Sequence, residues 1–159
     1  MLKKHIESLI RIRTSLNRNI EKGIILDRNE RVDVFDKTTF KKIIKSISKY
    51  SLSATPDITS LYERIAKYHG LKRNNIYITQ GITECISHIM FSILNKRDEA
   101  IILHPTYPMY EILCKLHNAK YKLWKFNKDF KLDINDLKKL ITKKTKILFL
   151  VNPNLPIEY

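Results

Sequence analysis

Leu2, Ile6, Leu9, Ile10, Ile12, Leu16 and Ile20 recur mostly at three- and four-residue steps with Lys and Arg between them, which predicts an amphipathic helix. After Gly23, "IILDRNERVDVF" reads as short and extended. "DKTTFKKIIKSISKY" then carries Phe40, Ile43, Ile44 and Ile47 at helical spacing, opened by Asp36 or Thr38 as cap. "SLSATPD" is a loop, because Pro56 drives Thr55 out of helical geometry. "ITSLYERIAKYHG" is a third helix, with a Ser60-to-Glu63 capping box predicted at its start and Gly70 as its stop.

From residue 75 the period changes. "NIYIT", "AIIL", "KYKLWKF" and "KILFLV" read as strands, and "GITECISHIMFSIL", "YPMYEILCKLHN" and "DINDLKKLI" between them read as helices. Such alternation requires crossover connections, and hence a largely parallel sheet covered on both faces. The chain therefore divides into a helical segment, residues 1–70, and the start of an α/β domain, residues 71–159.

Composition narrows the functional classes. With 159 residues and 43% apolar content the chain can build a core. Its apolar runs fall far short of the roughly 20 residues that span a bilayer, and no signal-peptide core follows the charged start, so a cytoplasmic protein without a membrane partner is expected. Cys85 and Cys114 have no metal-ligand spacing and read as buried free thiols. The net charge of +14 is dispersed over every connecting segment instead of clustered with aromatics. That pattern fits a solvated lysine-rich surface better than a nucleic-acid interface.

In open α/β sheets ligands bind at the carboxyl ends of the strands. After "NIYIT", the stretch Gln80-Gly81-Ile82-Thr83-Glu84 gives a tight turn, free N–H groups at a helix start and a hydroxyl, which suits a phosphate. After "AIIL", Pro105 and Pro108 bracket Tyr107, a flat ring that could stack on a planar ligand or pack over the sheet edge. After "ILFLV", Asn152 and Asn154 offer amides, or form an ordinary Asn-Pro turn.

"YITQGITECI", "DEAIILHPTYPMYEI" and "ILFLVNPNLP", in that order and at those separations, resemble the fold-type I aminotransferases that use pyridoxal 5′-phosphate (PLP), most closely the histidinol-phosphate aminotransferase-like branch. "ILDRNER" and "TPDITSLYERIAKYHG" resemble two further segments of that family, and the likeness runs over roughly residues 24 to 156. It implies the truncated large domain of a fold-type I enzyme, a mostly parallel sheet with flanking helices, preceded by a helical amino-terminal segment. It also implies a small-molecule amino or keto acid substrate and a homodimer. Gly81, Ile82 and Thr83 would hold the PLP phosphate, Tyr107 would stack on its ring, Asn154 would approach its phenolic oxygen, and Asn29 and Glu30 would face the substrate.

Departures accompany the likeness. Leu155 stands where the family's "N-P-N-N-P-T-G" has the asparagine that bonds the phenolic oxygen, and Ile157-Glu158 replaces Thr-Gly. The tyrosine that reaches a neighbouring subunit's phosphate in relatives falls near Ser53, with Tyr50 three residues away and Thr55 directly before Pro56. The Schiff-base lysine, the acid facing the pyridine nitrogen and the substrate-carboxylate arginine all lie in the family beyond the "N-P-x-x-P" turn. The resemblance thus implies the amino-terminal part of an aminotransferase, inactive alone and without a catalytic residue or metal site of its own. Competing readings are a non-catalytic ligand- or partner-binding module, and a basic nucleic-acid-binding domain.

Overall fold

The computed structural model describes residues 4–7, 9, 31 and 33–157. They fall into two compact units that part between Tyr77 and Ile78, with the short helix α1 (Lys4–Glu7) belonging to the second. Most of the expected first helix, and Asn29 and Glu30, lie outside the described residues.

In the first unit, α2 (Lys37–Ser46) starts where Asp36 Oδ1 accepts the Thr38 and Thr39 N–H groups, both at 2.9 Å. This cap satisfies two donors that the helix leaves orphaned. α3 (Thr59–Tyr68) ends as the sequence predicts: Gly70 adopts φ +64°, and Leu71 and Gly70 donate back to Ala66 and Lys67. That double return is a Schellman closure, which needs a left-handed residue at Gly70. The opposite end differs from expectation. No Ser60–Glu63 box forms, because the helix begins at Thr59, and Asp57 Oδ1 accepts the Thr59 N–H at 2.9 Å instead.

The second unit is built around a parallel sheet in the order β2-β1-β3, comprising β1 (Glu99–His104), β2 (Lys120–Lys125) and β3 (Thr145–Phe149). β1 is central. Ala100, Ile101, Ile102 and Leu103 are all buried, which explains why "AIIL" is continuously apolar and not alternating. Ala100 and Ile102 face Ile86 and Met90 of α4 (Ile82–Ile93) and Met109, Tyr110, Leu113 and Cys114 of α5 (Met109–Leu116). Ile101 and Leu103 face the opposite way, onto Trp124 and onto Leu137 of α6 (Ile134–Leu140). Trp124 Nε1 donates to the Asp133 carbonyl at 3.0 Å, so the indole is buried without losing its hydrogen bond. Both faces of the sheet are therefore covered by helices, the α/β architecture expected.

One predicted strand is corrected. Ile76 has extended backbone, but no strand forms over residues 76–79. Alternating apolar residues favour an extended chain, whereas a strand also needs a ladder, and this segment joins none of β1, β2 and β3.

Candidate functional site

The carboxyl end of β1 and the amino end of α4 both belong to the second unit, and between them they carry the candidate residues. Gly81 precedes α4 with φ +91°, a conformation that side-chain-bearing residues seldom adopt, and it turns the chain into the helix. The first helical return bond runs from Cys85 N–H to the Gly81 carbonyl, so the N–H groups of Ile82 and Thr83 stand at the open, positive end of the helix. Thr79 Oγ1 donates to the Gly81 carbonyl at 3.1 Å, and Glu84 accepts the Gln80 N–H, fixing the turn from both sides. Glu84 stands third in α4, but its bond goes to the N–H of Gln80, the residue before the Gly81 cap, and not to the cap itself as in a capping box.

Thr83 and Tyr107, 24 residues apart, meet. The Thr83 and Tyr107 hydroxyl oxygens are 3.2 Å from each other. The Tyr107 ring lies edge-on to Tyr110 with centroids 6.4 Å apart, and Tyr110 packs on Phe149 of β3 at 5.0 Å. Tyr110 is buried and Tyr107 is 37% exposed, so an accessible ring is anchored on the core. Ile82, also proposed from the sequence, is exposed beside it.

Asn154 is placed differently. It is only 4% exposed, and its Nδ2 donates to the Pro105 carbonyl at 3.0 Å, pinning the turn after β3 to the turn that leads to Tyr107. Its Oδ1 is buried without a hydrogen-bond partner among the described residues, and so is Thr106 Oγ1. Sequence patterning gave no signal for Thr106. A cleft of about 480 Å³ opens beside this turn, walled by Leu103, Phe126, Leu132, Leu150 and Val151 together with Lys131; Thr83 and Tyr107 do not line it.

The donor set fits a phosphate monoester carried on a flat ring: helix-end N–H groups and a hydroxyl for the anion, and an aromatic face for the ring. The buried thiol of Cys114 offers no competing chemistry. Burial pushes Cys114 up to about 12, which keeps it a neutral core side chain. Burial and the neighbouring Glu111 carboxylate raise Tyr121 to about 12, with its hydroxyl donating to Glu111 at 3.0 Å. Among the described residues, no three His, Cys, Asp or Glu side chains converge as metal ligands. No helix among them is long and apolar enough to cross a membrane.

Known proteins resemble this chain in sequence and in fold. Residues 23–157 match the family model described as aminotransferase class I and II. The chain is 36% identical over 119 residues to the histidinol-phosphate aminotransferase of Methanococcus aeolicus, a match covering 73% of this chain and 32% of that protein. It is 30% identical over 159 residues to the enzyme of the same name from Thermoanaerobacter sp., covering 95% of this chain and 45% of that one. Among solved structures, the alanine aminotransferase of Pyrococcus furiosus superposes with a TM-score of 0.59 at 28% identity, over 76% of this chain and 32% of that one. The chain thus spans less than half the length of these relatives. With a family match running through the Gly81 turn, the Tyr107 turn and the Asn154 turn alike, the chain belongs to the class I and II aminotransferases.

Proposed function

We propose that the Gly81–Thr83 turn and Tyr107 form the phosphate-and-ring half of a PLP site. The enzyme it serves transfers an amino group between an amino acid, or an amino-alcohol phosphate of the histidinol-phosphate kind, and a 2-oxo acid. The observation that carries this reading is the meeting of Thr83 and Tyr107 at the open end of α4. The Ile82 and Thr83 N–H groups and the Thr83 hydroxyl donate to phosphate oxygens, where the helix end favours negative charge. Tyr107, backed by Tyr110, covers the ring. Asn154 spends one N–H on Pro105 and keeps the second for the phenolic oxygen, in place of the asparagine that Leu155 has displaced.

When bound, PLP supplies the electron sink that makes the substrate's α-proton removable. The lysine that moves this proton belongs to the family's segment beyond the "N-P-x-x-P" turn, as do the acid at the ring nitrogen and the substrate-binding arginine. We assign residues 1–159 a binding role without turnover, with Asn29 and Glu30 on the substrate side and a homodimer as the working assembly. Reduction of the purified chain with borohydride in the presence of PLP, followed by peptide mapping, tests this. The expected result is no stoichiometric adduct at any one lysine; a single stoichiometric adduct at a unique lysine would show that these residues carry the catalytic amine.

A further inference from the structure

The Thr83 hydroxyl is the only side-chain donor assigned to the phosphate, and it lies 3.2 Å from the Tyr107 hydroxyl, a pair in which either oxygen can donate. We infer that Tyr107 is a self-latch on the phosphate cradle. With Thr83 as the donor of that pair, the Tyr107 oxygen takes up its proton in the ligand-free protein, and an incoming phosphate oxygen must displace it. This inference rests on the phosphate reading of the Gly81–Thr83 turn.

Tyr107 lies in the turn between β1 and α5, is 37% exposed, and packs nearly perpendicular to buried Tyr110. Among the described residues its hydroxyl has one hydrogen-bond partner, Thr83. Exchange of that neutral contact for a bond from Thr83 to an anionic oxygen is favourable, because hydrogen bonds to ionised acceptors are the stronger kind. Release also frees the ring to settle over a flat ligand. Arrival of the phosphate and placement of the ring are thereby one coupled event, and a ligand without a phosphate leaves the latch closed.

The latch opposes binding by the worth of one neutral, partly exposed hydrogen bond, so its removal should tighten phosphate affinity by about threefold to tenfold. Inorganic phosphate is the probe, titrated into the parent chain, Tyr107→Phe and Thr83→Val, with affinity read by calorimetry. Ring signals of isotope-labelled tyrosine are followed by NMR in parallel, Tyr107 being identified by its loss in Tyr107→Phe. The expected results are tighter binding in Tyr107→Phe, weaker binding in Thr83→Val, and a Tyr107 ring signal that moves both with phosphate and with Thr83→Val. Equal or weaker binding in Tyr107→Phe, with Thr83→Val still impaired, overturns the latch and leaves the cradle standing. Phosphate affinity indifferent to both substitutions, or no phosphate binding at all, overturns the cradle and the latch together. A Tyr107 ring signal unchanged by Thr83→Val overturns the latch even where a variant binds poorly because it folds poorly.

Discussion

Asn154 donates its side-chain N–H to the Pro105 carbonyl across a sequence separation of 49 residues, with only 4% of the asparagine exposed. This bond ties the turn after β3 to the turn after β1, two residues before Tyr107, so the position of the stacking ring depends on a side chain from another strand end. Asn154→Ala strands the carbonyl and should cost about 1–3 kcal/mol, the usual penalty for an unsatisfied buried group. Urea unfolding of the variant checks it. Exposed Asn152 is the control, and its alanine variant should lie within about 0.5 kcal/mol of the parent.

Gly81 holds the entrance to α4 at φ +91°, and a methyl group added there meets nothing within 4 Å. The cost of Gly81→Ala is therefore conformational and not steric, about 1–3 kcal/mol for an L-residue held at φ +91°, ψ 174°, a region essentially confined to glycine. If the substituted chain escapes that strain by turning its first helical N–H groups away, phosphate affinity falls as well. Thermal unfolding and a phosphate titration on the same sample separate the two effects.

His117 caps the end of α5 and its Nε2 lies 2.9 Å from Ser87 Oγ of α4, joining the helices on one face of the sheet. Burial holds the His117 pKa below its ordinary value. The unfolded chain then takes up the proton first, so stability is fully present above roughly pH 6.5 and declines as pH falls below it toward the folded value. Denaturant midpoints at mildly acidic and neutral pH should show that decline in the parent and a smaller one in His117→Gln. An identical slope in both proteins contradicts the assignment.

Glu99 works in a lower pH window. Lys122 Nζ at 2.8 Å and Thr142 Oγ1 at 2.9 Å bond its carboxylate, joining β1 to β2 and to the end of α6, and these bonds lower its pKa. A depressed carboxylate stabilises above its unfolded pKa of roughly 4.3 and loses that contribution as pH falls through the folded value. Glu99→Gln should lower stability at neutral pH and flatten the acid limb of the stability profile, as measured by urea unfolding between neutral and acid pH.

Local chemistry made much of this fold legible. Asp36 and Gly70 end their helices as their residue types require, and the continuous run "AIIL" marked the strand buried on both faces. Thr83 and Tyr107 could each be placed at a strand-to-helix turn. Their contact could not, since it depends on how α4 and α5 pack across Ile86, Met90, Tyr110 and Leu113. Residues 75–79 read as a strand because alternation reports backbone extension and says nothing of a pairing neighbour. Ser60 and Asp57 compete for the start of α3, and the winner is set by where the helix begins, which residue pattern leaves open to within a few positions. Asn154 reads as an exposed turn amide from its Asn-Pro context, and only the tertiary approach of the Pro105 turn makes it a buried clamp.

The account stands on the phosphate-binding turn, and the sharpest measurement compares pyridoxamine 5′-phosphate with pyridoxamine, two ligands with the same ring and no aldehyde to react with surface lysines. Equilibrium binding should favour the phosphorylated ligand by at least about tenfold, the worth of one hydrogen bond to a charged acceptor, and Thr83→Val should remove most of that preference. Equal affinity of the parent chain for both ligands, or a phosphate preference untouched by Thr83→Val, would contradict it.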